Sequence, residues 1–136
     1  MIEISTHAPE RTLVAFVRHW LKLLAAGRWL EACGMIDEPN CYGIIWTRER
    51  IQQVVEDTFA PDSRFRSRHL EGIRWTDPDE LGDGGHPEIY PVHDGSRYAF
   101  EHDVPLNGEW SDLTAQFEFH RRSQGYAVVL HDLHVL

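Results

Sequence analysis

The second half of the chain consists of stretches of β-type residues that are separated at regular intervals by glycine-containing pairs. These pairs are Asp94-Gly95, Asn107-Gly108 and Gln124-Gly125. Glycine, and Asn or Asp before it, tolerates the positive φ that tight hairpins need. The spacing therefore predicts a meander of four antiparallel strands, over residues 88–93, 97–104, 110–121 and 126–135.

The third of these stretches has the clearest strand pattern. Its apolar and polar side chains alternate over Leu113, Thr114, Ala115, Gln116, Phe117, Glu118, Phe119 and His120. Successive side chains of a strand point to opposite faces, so one face of the sheet meets a core. Because the last two strands are long for a small domain, we expect the sheet to twist and curl strongly.

The first half shows the spacing of amphipathic helices. From Thr12, apolar residues recur at i, i+3, i+4 and i+7, while Pro9 suits a first turn and Gly27 a helix end. A shorter helix follows in "RWLEACGMID". A third helix begins near Thr47, which is a suitable cap, and ends before Pro61.

Helices followed by a curled meander predict an α+β fold. The N-terminal helices would pack on a strongly curved antiparallel sheet, since neither layer can bury its apolar face alone. A chain of 136 residues is long enough for one core, so we expect a single domain over residues 1–136.

The charge of the chain narrows the classes of partner. It is −9, from 22 acidic and 13 basic residues, and the only dense basic stretch is "RFRSRH" at residues 64–69. Proteins that bind duplexes concentrate Lys and Arg, so we expect no nucleic acid partner. No apolar run approaches the ~18 residues of a membrane span, and the N-terminus lacks a signal-peptide core. With Cys33 and Cys41 and no CxxC pair, we expect a cytoplasmic protein with reduced thiols.

The element order resembles that of the NTF2-like superfamily, the cone-shaped α+β barrels. The stretch "LAAGRWLEACGMID" is similar to its common "L…G.W..A" entry, in which a glycine separates a helix from a short Trp-bearing helix. The block "GEWSDLTAQFEF" and the ending "LHDLHVL" also look like an uncharacterised bacterial family. The long acidic stretch from Ser67 to Pro87 departs from the compact superfamily pattern. Members of the superfamily include isomerases, dehydratases, cyclases, oligomerisation modules and immunity proteins, so the resemblance implies a fold and no single function.

The chain ends on "YAVVLHDLHVL", where two histidines and an aspartate interrupt an apolar run. On a regular strand His131 and His134 point to opposite faces, so they cannot share a metal unless a bulge separates them. His131 is either a hydrogen-bonded core residue or a general acid or base in a cavity. Catalysis needs convergent groups. The candidates are His102, Asp112, Tyr98 and Tyr126.

Regular alternation makes both faces of this last strand largely apolar. One face would hold Ala127, Val129, His131, Leu133 and Val135. We therefore expect the strand to be covered on both sides, by the helices on one side and by a second subunit or a partner on the other. Exposed apolar patches mark contacts, so this pattern predicts a homodimer through the exposed sheet face.

The segment "DPDELGDGGHPE", residues 77–88, carries part of an EF-hand pattern, with acids at loop positions one, three and twelve. Leu81 stands at position five and no clear helix flanks the loop, so an acidic surface loop fits the segment better than a calcium site. We expect no metal. As a surface, the loop would recognise a partner through Asp77, Asp79, Glu80 and Asp83.

Two tryptophans near element ends, Trp75 and Trp110, either anchor a protein interface or seal the mouth of the cone. Two functions then remain open. The first is a small acidic binding protein, such as an immunity protein that neutralises a basic toxin. The second is a cofactor-free enzyme like ketosteroid isomerase or a dehydratase, acting on a small apolar ligand inside the cone. A pocket holding several polar candidates would favour the enzyme, and an interior filled with Trp and Phe would exclude it.

Overall fold

The computed structural model describes residues 1–5, 7–60, 72–92 and 95–136. Its elements are α1 (Pro9–Ala25), α2 (Trp29–Gly34), α3 (Arg48–Thr58), a 3-10 turn (Pro78–Glu80), β1 (Glu88–Val92), β2 (Arg97–Leu106), β3 (Glu109–Arg122) and β4 (Gly125–Val135). Three helices on an antiparallel sheet confirm the predicted α+β class. Pro61, the basic stretch 64–69 and the turn residue Asp94 lie outside the described residues.

The helix ends form where the sequence predicts them. Pro9 begins α1, where its missing N–H costs no hydrogen bond. After the last turn of α1, Gly27 has a φ of 74° and its N–H donates to the carbonyl of Leu24 at 3.1 Å. At α3, the N–H of Arg50 donates to the hydroxyl of Thr47 at 3.2 Å, which makes Thr47 the N-cap.

The four strands follow the order β1-β2-β3-β4, and each pairs antiparallel with the next. The predicted meander is therefore confirmed. Asn107 and Gly108 have φ values of 51° and 79°, as a two-residue hairpin turn requires. The described strands form an open sheet and do not close into a barrel.

A bulge in β4 changes which side chains share a face. Gln116 pairs with Asp132 but Phe117 pairs with Leu130, so His131 is an extra residue in β4. The prediction of strict alternation is wrong beyond this point. Leu133 and Val135 move to the face of Phe117, because they pair with Ala115 and Leu113. Asp132 and His134 then share the opposite face with Ala127 and Val129.

Burial of β4 follows the same division. All residues from Tyr126 to Leu130 are buried, so this part is covered on both faces as expected. Beyond the bulge, Asp132 and His134 are half-exposed. The second half of the outer face is therefore polar, and the apolar patch from which the homodimer was predicted is smaller than the sequence suggested.

The core lies between α1 and the inner face of the sheet, and it is filled with aromatic rings. The ring of Trp20 meets Phe117 edge-on at 5.1 Å between centroids, and Phe16 meets Phe119 at 5.6 Å. Trp20, Phe100, Phe117 and Phe119 are fully buried. Edge-to-face packing of this kind fills the space that a ligand inside a cone would need.

Chain from the first half covers the free edge of β4. Four contacts reach backbone groups of this strand: Ile2 pairs with Tyr126, Asp37 with Val128, Trp46 Nε1 donates to the carbonyl of Leu130 at 2.7 Å, and Asn40 Nδ2 donates to that of His131 at 2.9 Å. Covered edges cannot pair with another sheet. The last two contacts hold the bulge in place.

Candidate protein-binding surfaces

His102 is a buried, neutral imidazole on the core face of β2. Its Nδ1 lies 2.7 Å from the carbonyl oxygen of Asp103, and since a carbonyl only accepts, Nδ1 carries the proton. Its Nε2 is buried without a hydrogen-bond partner among the described residues. Burial lowers the pKa of His102. The ring also packs edge-on against Trp110 at 5.4 Å.

The acidic loop, residues 77–87, closes over His102. The N–H of Asp103 donates to the carbonyl of Gly85 at 2.8 Å, which ties the loop to β2. Arg18 on α1 donates to the carbonyl of Gly82 at 3.1 Å and contacts Asp79 at 3.2 Å. His102 is thus enclosed by its own chain.

Most acids of this loop that were predicted to recognise a partner are paired within the molecule. Asp79 contacts both Lys22 and Arg18, and these hydrogen bonds lower the pKa of its carboxyl. Asp77 lies 3.8 Å from Lys22, and Glu80 lies 3.7 Å from Arg74. Asp83 is exposed. In the described ranges, no group of three or more His, Cys, Asp or Glu side chains is placed to hold a metal ion.

The two tyrosine candidates lie together at the far end of β2 from His102. Their ring centroids are 5.7 Å apart, and the Tyr126 hydroxyl donates to the carbonyl of Gly95 at 2.7 Å. Burial raises the pKa of Tyr98. Four residues of strand, about 13 Å at ~3.3 Å each, separate Tyr98 from His102.

The other two catalytic candidates lie elsewhere. His131 occupies the bulge in β4, with its ring centroid 6.2 Å from that of exposed Tyr42. Asp112 belongs to the irregular part of β3 between Trp110 and Thr114. The five candidates therefore occupy separate places, and the structure brings only the two tyrosines together.

The two tryptophans predicted as interface anchors pack on their own chain. Trp75 meets Trp29 edge-on at 5.5 Å, and the guanidinium of Arg18 lies 5.9 Å from the ring of Trp110. Both tryptophans are half-buried.

One row of side chains crosses all four strands on the face opposite the core. We call it the carboxylate row, and it consists of Glu88, Glu101, Gln116 and Asp132, each paired with the next across the sheet. Gln116 Nε2 donates to Glu101 Oε1 at 3.3 Å. Asp132 Oδ2 accepts a hydrogen bond from His134 Nδ1 at 2.9 Å. The Tyr90 hydroxyl donates to Glu88, which raises the pKa of Tyr90 to about 12.

Sequence reasoning missed a second surface, between α2 and α3. The α2–α3 groove is lined by Trp29, Leu30, Cys33, Ile45, Trp46 and Arg48, and it joins three adjoining depressions of about 170, 370 and 370 Å³. Leu30 is 92% exposed and Ile45 is 72% exposed. A signal was present, since Leu30 lies off the stripe of Trp29 and Cys33 on the short helix α2.

Comparison with known proteins gives one family. No helix among the described residues is long and apolar enough to cross a bilayer. No curated protein and no solved structure matches the sequence. Residues 51–136, which include most of α3, the acidic loop and all four strands, match the family described as "Domain of unknown function (DUF7668)". Because this match covers more than half of the sequence, the chain belongs to the DUF7668 family.

Proposed function

We propose that this domain is a non-enzymatic binding protein that recognises a basic protein partner through the carboxylate row. The observation that carries the proposal is the direct opposition of Glu88 and Glu101 on neighbouring strands, in one row with Gln116 and Asp132. Like charges directly opposite each other destabilise a sheet, by about 0.2–1 kcal/mol per pair. Lys or Arg side chains of a partner would relieve that repulsion.

The charge of the whole molecule supports the same kind of partner. At −9, the domain attracts basic surfaces over distance, which speeds association and excludes acidic competitors. The acidic loop adds to this field, although Asp79 and Asp77 already contact Lys22. We therefore propose that the basic partner contacts the carboxylate row directly, and that the remaining acidic surface attracts the partner over longer distances.

The resemblance to NTF2-like proteins gives this proposal a sharper form. The order of three helices followed by a long-stranded meander supports that relationship. In the sharper form the domain is an immunity protein, its partner is a basic toxin, and neutralisation takes place in the cytoplasm. Co-expression with the product of the neighbouring upstream gene would test it, because an immunity protein restores growth that its toxin stops.

The enzymatic alternative lacks comparable support. His102 is enclosed beneath the acidic loop, His131 lies in the bulge, and Asp112 lies in the irregular part of β3. A general acid–base site needs such groups within hydrogen-bond reach of one substrate. Rings of Trp20 and Phe117 fill the space where an apolar ligand would bind.

Affinity capture with matched charge variants tests the proposal. One variant carries Glu88→Gln, Glu101→Gln and Asp132→Asn. The control carries Glu3→Gln, Glu56→Gln and Glu109→Gln, which remove the same number of negative charges at exposed positions elsewhere. We expect proteins captured from the source cells by wild type to fall at least about tenfold with the row variant and to persist with the control.

The captured proteins should also be basic, and their retention should weaken between about 50 and 500 mM salt. Equal capture by the two variants would refute the row as the binding surface. Capture that increases with salt would refute a charge-based partner altogether.

A further inference from the structure

The α2–α3 groove is an exposed apolar surface that the carboxylate row does not use. Leu30 and Ile45, which line the groove, are 92% and 72% exposed, and only Tyr42, at 78%, lies between them among the exposed large apolar side chains of the described residues. Single exposed apolar residues are ordinary, but a cluster beside a depression marks a contact surface. Leu30 lines two of the three depressions and Ile45 lines the third.

The charges around the groove are neutralised by the chain itself. Glu31 pairs with Arg28, and Asp37 pairs with the N-terminal ammonium at 3.1 Å. Glu38 accepts two hydrogen bonds from Arg122, at 2.8 and 3.0 Å, and this contact lowers the pKa of its carboxyl. The guanidinium of Arg48 lies over the ring of Trp29 at 5.5 Å, and the opposite charge of Glu49, which also lines the groove, offsets the charge of Arg48. The groove is thus nearly neutral on a molecule of charge −9.

This charge distribution selects the occupant. In a two-fold dimer the same patch meets itself, so a surface of one sign repels its copy. A dimer through the carboxylate row would place Glu88, Glu101 and Asp132 opposite the same acids of the second copy. A dimer through the groove would instead bring together two surfaces that are apolar and nearly neutral. Edge pairing is also blocked, by the cover over β4 and by Pro91 in the short strand β1.

We infer that the occupant of the α2–α3 groove is a second copy of this chain, with Leu30 and Ile45 of each copy inserted into the groove of the other. The dimer forms on a face separate from the carboxylate row, so the row stays available to a basic partner. The inference holds whether or not that partner is found. It also moves the dimer predicted from the sequence away from the sheet face.

Sedimentation velocity on the full chain, from about 1 µM to about 1 mM, tests this arrangement. Leu30→Asp with Ile45→Asp should raise the dissociation constant of the dimer at least about 30-fold, since both side chains lie at the centre of the contact. The matched control is Tyr90→Ser, which removes an exposed aromatic ring from the sheet face. We expect the control to dimerise like wild type.

A wild-type chain that stays monomeric at the highest concentration overturns the inference. Dissociation by Tyr90→Ser, with the groove variant unaffected, overturns it in favour of the sheet face. Alkylation of Cys33 in a Cys41→Ser background supplies a readout that needs no groove substitution, because Cys33 lines the groove. Its rate in alkaline buffer should fall at least about tenfold as the dimer forms, and a rate independent of concentration contradicts the proposal.

Discussion

The imidazole of His102 lies directly beneath the backbone of Gly85. A Cβ atom added to Gly85 would meet Cε1 of His102 at 2.4 Å, and the φ of Gly85 is 78°. Only glycine combines this backbone conformation with so close an approach. The acidic loop therefore reaches β2 through a contact that fixes both the loop path and the burial of His102.

Replacement of Gly85 by alanine should destabilise the protein by about 2–4 kcal/mol. The left-handed backbone costs about 1–2 kcal/mol, and the steric overlap with His102 adds about 1–3 kcal/mol. The control is Gly82→Ala, because Gly82 has a φ of 70° but open space around its Cβ position. Urea unfolding should separate the two variants by at least about 1 kcal/mol. Equal free energies of unfolding would show that the contact with His102 is easily relieved.

The burial of His102 predicts a loss of stability in mild acid. Its native pKa lies below the unfolded value of about 6.5. Above that value both states are neutral and the stability is complete. As the pH falls below it, the unfolded chain binds a proton that native His102 does not. The free energy of unfolding then falls, by at most about 1.4 kcal/mol per pH unit, until the pH passes the native pKa.

Unfolding of His102→Gln across about pH 5 to 8 isolates this contribution. The variant should lose part of the wild-type slope below about pH 6.5. His86→Gln is the control, because the hydrogen bond from His86 to Asp103 raises the pKa of His86 and gives a slope of opposite sign. If the free energy of unfolding of His102→Gln depends on pH as strongly as that of wild type, other histidines cause the acid sensitivity.

Local signals in the sequence were enough to predict the helices and strands. They failed where contacts with distant parts of the chain determine the structure. The alternation around Phe117 and the turn at Asn107-Gly108 placed β3 within one residue of its observed ends, Glu109–Arg122. The bulge at His131 was invisible, because Asn40 and Trp46 hold it from the other half of the chain.

The candidate sites follow the same rule. The acids of the loop looked unpaired in the sequence, because the partners of Asp79 are Arg18 and Lys22 on α1. These residues lie 61 and 57 positions earlier in the chain. The carboxylate row depends on the register of four strands, which no single stretch encodes. Leu30 alone could have been recognised, as an apolar side chain off the buried stripe of α2.

The anchoring of the acidic loop by Asp79 predicts a change in its dynamics. Asp79→Asn weakens the contacts to Arg18 and Lys22, so backbone amides of residues 79–86 should exchange faster with deuterium. Added salt should produce the same trend in wild type, because exposed ion pairs are screened. Asp83→Asn serves as the control from the same loop. If both variants exchange alike, the carbonyl contacts of Gly82 and Gly85 hold the loop without Asp79.

The bulge in β4 predicts a specific cost for the loss of one indole N–H. Trp46 Nε1 donates to the carbonyl of Leu130 at 2.7 Å, and both residues are buried. In Trp46→Phe that carbonyl stays buried without its donor, at a cost of about 1–3 kcal/mol beyond the loss of ring packing. Trp29→Phe removes the same part of a ring that packs against Trp75 instead of β4. Urea unfolding should therefore show the larger loss for Trp46→Phe, with amides near His131 exchanging faster in that variant only. Equal losses, or unchanged exchange at the bulge, would mean that Asn40 holds this part of β4 without the indole.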